Sequence, residues 1–153
     1  MVTKEQVINA QNEWGAGVVE IGSLKNDFSS CKSYASDFLD KLYSFEDGNV
    51  LFKPTKCEIE QFRPTKLEAL SYFIAGDERA CQEDKGFAIK SWCDVKWENA
   101  GVKIIDDIAV CMGNYFFIAH NQEDLKVEYT MVFKSISGSL KIILHDSHLP
   151  YQK

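Results

Sequence analysis

Leu125-Lys126-Val127-Glu128-Tyr129-Thr130-Met131-Val132-Phe133-Lys134 decides the fold class. Apolar side chains at 125, 127, 129, 131 and 133 alternate with Lys126, Glu128, Thr130 and Lys134, the period of two that a strand with one buried face requires. Outward from this stretch, Ser137-Gly138-Ser139 reads as a turn and Leu140 to Leu149 as a final strand. Toward the N-terminus, Cys93, Val95 and Trp97 alternate with Asp94, Lys96 and Glu98. Ile104 to Phe117 is strand-rich, with interruptions at Asp106-Asp107 and Gly113-Asn114. These segments form an antiparallel meander, and the alternating residues of 125–133 are expected to face helices.

The helices come first in the chain. Thr3-Lys4-Glu5-Gln6 has the spacing of a capping box, and Val7, Ala10, Trp14, Val18 and Ile21 follow at helical intervals. Gly15, Gly17 and Gly22 imply close packing or an early helix end. Tyr34, Phe38 and Leu42 make a second helical stripe, with Ala35 and Leu39 beside it. Val50-Leu51-Phe52 reads as a brief strand stopped by Pro54. Pro64, Thr65 and Glu68 open a third helix with apolar face Leu67, Leu70, Phe73 and Ile74, and Gly76 is its expected cap. Asp77 to Gly86 is a polar loop. Helices followed by strands, with no internal repeat and no linker, give one α+β domain over residues 1–153.

With 153 residues and 45% hydrophobic side chains, the chain can bury a full core. A net charge of -6 without a Lys/Arg cluster argues against nucleic acid and anionic membranes. No apolar run approaches a membrane span, and Met1 to Gln6 lacks the pattern of a signal peptide. The 5 cysteines are odd in number and form no C-x-x-C. They read as scattered thiols of a cytoplasmic protein rather than a disulfide framework or a zinc knuckle.

Candidate chemistry is sparse. His145 and Ser147 share one face of the last strand, and Asp146 and His148 share the other. Unless a bulge intervenes, that alternation argues against His120, His145 and His148 converging on a metal. Two near-identical blocks, Phe52-Lys53-Pro54-Thr55 and Phe62-Arg63-Pro64-Thr65, are stiff bends that each present a threonine. Thr65 already has a capping role, which leaves Thr55 freer. Ala69-Leu70-Ser71-Tyr72-Phe73 places a phenol on an apolar helix face, and Tyr115-Phe116-Phe117 reads as sheet core. Each feature also has a plain structural reading: a polar strand end, ordinary turns and a satisfied core tyrosine. The parity of the last strand raises a conflict, because Leu140, Ile142 and Leu144 fall on the face opposite His145 and Ser147. A bulge would reconcile the two.

Taken together, these blocks, Ala10-Gln11…Trp14-Gly15, Gly113-Asn114 and the ending Leu144-His145-Asp146-Ser147-His148-Leu149-Pro150-Tyr151 resemble the iota-class carbonic anhydrases and their bacterial relatives. The domain is similar to the association domain of calcium/calmodulin-dependent kinase II. The resemblance implies the nuclear-transport-factor-like, cystatin-type cone, a curved and mostly antiparallel sheet packed on N-terminal helices. It also implies a site of Thr55, Tyr72, His145 and Ser147 acting on CO₂ and bicarbonate with no metal and no organic cofactor. Asp146 and His148 stand where the family has a second His and a second Ser. His145, of the four, has an ordinary pKa near neutrality and is the expected proton acceptor. Sheet faces commonly pair in this superfamily, so the outward face with Thr130 and Val132 implies a homodimer. A non-catalytic ligand-binding or oligomerisation module, and a polyketide-type isomerase or dehydratase, remain alternatives on the same fold. A very small pocket would favour CO₂, a deep apolar one the isomerase, and a collapsed one the module.

Overall fold

Thr3 opens the first helix reciprocally with Gln6: the Gln6 amide donates to the Thr3 hydroxyl at 3.2 Å, and the Thr3 amide donates to the Gln6 side chain at 2.8 Å. In the computed structural model, which describes residues 1–153, α1 (Lys4–Ser23) runs straight through its glycines. They serve close packing: a Cβ on Gly17 would lie 2.4 Å from the Phe38 ring. Asp27 caps α2 (Phe28–Leu42), and Thr65 with Glu68 caps α3 (Lys66–Ile74). The α3 helix ends at Ala75, with φ 52°, one residue before Gly76. Tyr34 and Leu67 belong to the expected apolar stripes yet point to solvent, while Cys31 joins the core from α2.

Five strands form one sheet in the order β1-β5-β4-β3-β2. They are β1 (Leu51–Lys53), β2 (Trp92–Ile105), β3 (Ile108–Ala119), β4 (Leu125–Ile136) and β5 (Ser139–His148). The meander β2 to β5 is antiparallel, and β1 pairs with β5 in parallel, which makes the sheet mixed. As the alternation requires, Val127, Tyr129, Met131 and Phe133 are buried against the helices, with Leu125 half-buried. Asp106-Asp107 forms the β2–β3 turn. Gly113-Asn114 does not interrupt β3. Instead β2 carries an extra residue between Asn99 and Gly101 opposite this point, and a Cβ at Gly113 would lie 2.2 Å from the Glu98 carbonyl oxygen. Glycine there lets β3 approach the bulged strand.

A second bulge settles the parity of β5. Phe133 pairs with Ile142 and Val132 with Leu144, so Ile143 is the extra residue. Before it Ile142 faces the core, and after it His145 and Ser147 do.

Candidate active site

Three separate elements converge beneath the sheet. The β5 strand brings His145 and Ser147, α3 brings Tyr72, and the bend after β1 brings Thr55. With Trp14, Phe52, Pro54, Phe73, Phe87, Tyr115 and Phe117, they line a cavity of about 10 Å³, room for roughly one water. All four residues singled out in the sequence border it, whereas Thr65 caps α3 and does not.

His145 is fixed from every side. Its ring stacks on Phe52, with centroids 5.1 Å apart, and meets the Trp14 ring edge-on at 5.7 Å. Trp14 Nε1 donates to the Tyr43 hydroxyl at 2.9 Å, and that hydroxyl lies 2.8 Å from His145 Nδ1. Indole can only donate, so the Tyr43 oxygen accepts from Trp14 and its own proton goes to Nδ1. We therefore assign the imidazole proton to Nε2, which lies 3.1 Å from both the Ser147 hydroxyl and the Tyr115 hydroxyl. These two hydroxyls also bond to each other.

Burial without a counter-charge pushes the His145 pKa down to about 3. The ring is thus neutral at physiological pH, but it is a far weaker base than the ordinary histidine expected from the sequence. Burial raises the Tyr72 phenol well above its usual value, opposed by the Lys56 amide, which donates to it at 3.3 Å, and by Thr55. The same combination of burial and hydroxyl neighbours, Ser147 and Thr55, acts on Tyr115. None of the hydroxyls of Thr55, Tyr72, Tyr115 and Ser147 has a carboxylate or a backbone carbonyl as acceptor. One proton of the Tyr115–Ser147 pair is spent on the bond between them; the other, with those of Thr55 and Tyr72, can turn to an oxygen atom in the cavity.

Tyr115, Tyr43 and Trp14 also contact His145, although the sequence marks Trp14 and Tyr115 only as apolar core and gives no sign of Tyr43. The run Tyr115-Phe116-Phe117 reads in sequence only as sheet core. The approach of Tyr115 to His145 depends on the β3–β4–β5 register, which no local pattern specifies. No group of three or more His, Cys, Asp or Glu side chains is arranged to hold a metal ion, and both nitrogens of His145 already have protein partners. His148 lies on the outer face, 2.9 Å from Glu128.

A solved iota-carbonic anhydrase from a cyanobacterium, in complex with bicarbonate, superposes with a TM-score of 0.94 at 36% identity, covering 99% of this chain and 94% of that one. A Xanthomonas campestris protein assigned to the calcium/calmodulin-dependent protein kinase II association domain shares the fold, with a TM-score of 0.66 at 19% identity over 100% of this chain and 91% of its own. The metal-independent carbonic anhydrase of Nostoc sp. (strain PCC 7120) is 38% identical over 156 residues, spanning 99% of this chain and 76% of that protein. The family model for metal-independent carbonic anhydrase matches residues 5–149, so that nearly the whole chain, with every residue lining the cavity, belongs to the metal-independent carbonic anhydrase family.

Proposed function

We propose that this chain catalyses the reversible hydration of CO₂ to bicarbonate in the cavity of Thr55, Tyr72, Tyr115, His145 and Ser147. The observation that carries the reading is a water-sized space ringed by hydroxyl donors, in a member of this family. A space of that size excludes the ring substrates of an isomerase. To admit CO₂ beside a water, the surrounding rings must shift.

A base with a pKa of about 3 does not generate hydroxide at neutral pH. The hydroxyls supply a different route. As the water oxygen bonds to the carbon of CO₂, one C=O π bond opens and charge develops on that oxygen. A hydroxyl of the Ser147–Tyr115 pair hands its proton to this oxygen and takes one from the attacking water. The product is carbonic acid, which ionises to bicarbonate in solvent, and the site returns unchanged. His145 Nε2–H holds the pair in place, and Thr55 and Tyr72 donate to the developing negative charge. His145 is here a positioning residue.

Stopped-flow CO₂ hydration, with and without chelator, tests the proposal. Catalysis insensitive to chelator is expected, with losses of roughly 10²–10³ in Tyr72→Phe and Ser147→Ala and most activity gone in His145→Ala. The rate should show no inflection from His145 between pH 6 and 8, whereas a rise centred near pH 6.5 would restore the proton-acceptor role. Full activity in His145→Ala would end the hypothesis.

The chain is also proposed to act as a cytoplasmic homodimer. Leu51, Leu144, Val132 and Val110 stand in one cross-strand row on the outer face of the sheet, and Leu51 is 67% exposed. The cysteines are free, and no helix is long and apolar enough to cross a membrane. A monomer by light scattering at micromolar concentration would count against the dimer.

A further inference from the structure

A second, larger cleft lies on the solvent side of the buried cavity. It has a volume of about 500 Å³ and is lined by Thr55, Tyr72, Phe87, Lys56, Lys85 and Lys90, among others. Thr55, Tyr72 and Phe87 line the buried cavity as well, so these three side chains form the partition between the two spaces. Tyr72 and Phe87 are almost fully buried and Thr55 is half-buried. The three lysines are exposed.

The lysines have no partners. The ion pairs of the chain use Lys41, Arg63, Lys66 and His148, and none of the ammonium groups of Lys56, Lys85 and Lys90 makes a hydrogen bond. The carboxylates on the same cleft are Glu58, Glu83 and Asp84, and two of them are committed elsewhere. Asp84 accepts both Arg63 nitrogens at 2.7 Å and the Ser71 hydroxyl at 2.5 Å. Glu83 accepts the backbone amides of Glu58, Ile59 and Glu60 at 2.7, 2.9 and 2.7 Å. Arg63 balances the Asp84 charge, and the Glu83 oxygens are turned onto backbone amides, so the three lysines outnumber the remaining carboxylates, Glu58 and Glu83, and leave the cleft a local positive excess on a chain whose net charge is -6. Partial burial, with repulsion from Lys90 and Lys85, lowers the Lys56 pKa, as a missing counter-anion would.

We propose that this cleft is an anion-binding vestibule, in which Lys56, Lys85 and Lys90 hold a small planar oxyanion against the Thr55–Tyr72–Phe87 partition. The identity of that anion as bicarbonate rests on the function proposed above. The capacity to bind a small anion rests on the cleft alone. CO₂ is neutral and needs no such mouth. Bicarbonate is charged, and within a Debye length of about 8 Å at physiological ionic strength a cluster of three lysines concentrates it. The partition then selects by size, since the space behind it holds roughly one water and admits more only as its rings shift.

The equilibrium constant of the reaction fixes the ratio of kcat/KM for hydration to kcat/KM for dehydration. Losing the lysines must lower both together, so the distinctive readout is anion affinity. Nitrate is planar, singly charged and unreactive. It is titrated into ¹⁵N-labelled protein while the amides of Lys56, Lys85 and Lys90 are followed, at low and at physiological ionic strength with a bulky organic salt. Saturable shifts that weaken with salt are expected. In the Lys56→Gln/Lys85→Gln/Lys90→Gln variant, affinity should drop roughly tenfold or more, with a shallower salt dependence; its unchanged amide spectrum elsewhere reports an intact fold. Absence of saturable shifts, or a variant that binds nitrate as tightly as the parent, overturns the vestibule. A parent that binds nitrate here but hydrates no CO₂ sinks the proposed function and leaves the vestibule standing. An active parent whose nitrate affinity survives the triple substitution does the reverse.

Discussion

Phe52-Lys53-Pro54-Thr55 and Phe62-Arg63-Pro64-Thr65 have nearly the same residues, and the fold uses them in opposite senses. In the first block Phe52 is 3% exposed and stacks on His145, while Lys53 turns outward to donate to the Ser147 carbonyl at 2.7 Å. In the second Phe62 is 70% exposed and Arg63 is 0% exposed. The blocks lie side by side: the Arg63 amide donates to the Phe52 carbonyl at 2.7 Å and the Val50 amide to the Pro64 carbonyl at 3.2 Å. What separates them is the chain that follows. Helix α3 begins after Thr65, and its unpaired amides take the hydroxyl as a cap. No helix follows Thr55, so its hydroxyl stays free for the cavity. A stiff bend supplies a threonine, and the next element determines its work.

The contrast is sharpest in how each block treats charge. The second buries a cation with its partner, whereas the first packs on an imidazole buried without one. As pH falls through 6.5 the unfolded chain protonates His145, but the native ring does not until about 3. Stability from this residue is fully present above pH 6.5 and is lost as pH drops toward 3, by at most about 5 kcal/mol. Urea unfolding at several pH values should show His145→Gln losing less stability than the parent over that window; equal slopes would place the histidine in water. Arg63→Met strands Asp84 without its cation and should cost about 3–5 kcal/mol by chemical denaturation, against little for Lys53→Met. Equal costs would dissolve the distinction between the blocks.

Smaller effects separate the two threonines. Thr55→Val removes a cavity hydroxyl and should lower CO₂ hydration by roughly 10², while Thr65→Val leaves the turnover near that of the parent. In thermal melts the order inverts: Thr65→Ala loses a helix cap worth about 1 kcal/mol and Thr55→Ala less. If Thr65 proved the more damaging for activity, the assignment of roles would have to be exchanged.

How far these roles could be read in advance depends on the range of the interaction. The two capping boxes and the alternation of 125–133 are local, and both survive unchanged in the structure. The pairing of Thr55 with Tyr72, and of His145 with Ser147, was reachable through the family blocks and strand parity. Tyr43 and Tyr115 were not, because they meet His145 across 102 and 30 residues of chain and carry no spacing signature. The basicity of His145 escaped for the same reason. Histidine alone suggests a pKa near neutrality, and only the rings of Trp14, Phe52, Tyr43 and Tyr115 packed around it remove that. Gly113 reads as a break in the sequence, whereas the reason for it is the close approach of the opposing strand.

Ile143 puts the two halves of β5 out of phase, like a seam where a printed pattern has been shifted by half a repeat. Residues before the seam answer to the demands of the core, and residues after it answer to the cavity, so the two halves can change independently. Length is the variable they share. Deleting Ile143 alone would close the seam and leave Ile142, His145 and Ser147 on the inner face in unbroken alternation. One gained codon between Leu144 and His145 would do what that loss does not: with no site residue altered, it would turn His145 and Ser147 toward solvent and Asp146 and His148 inward.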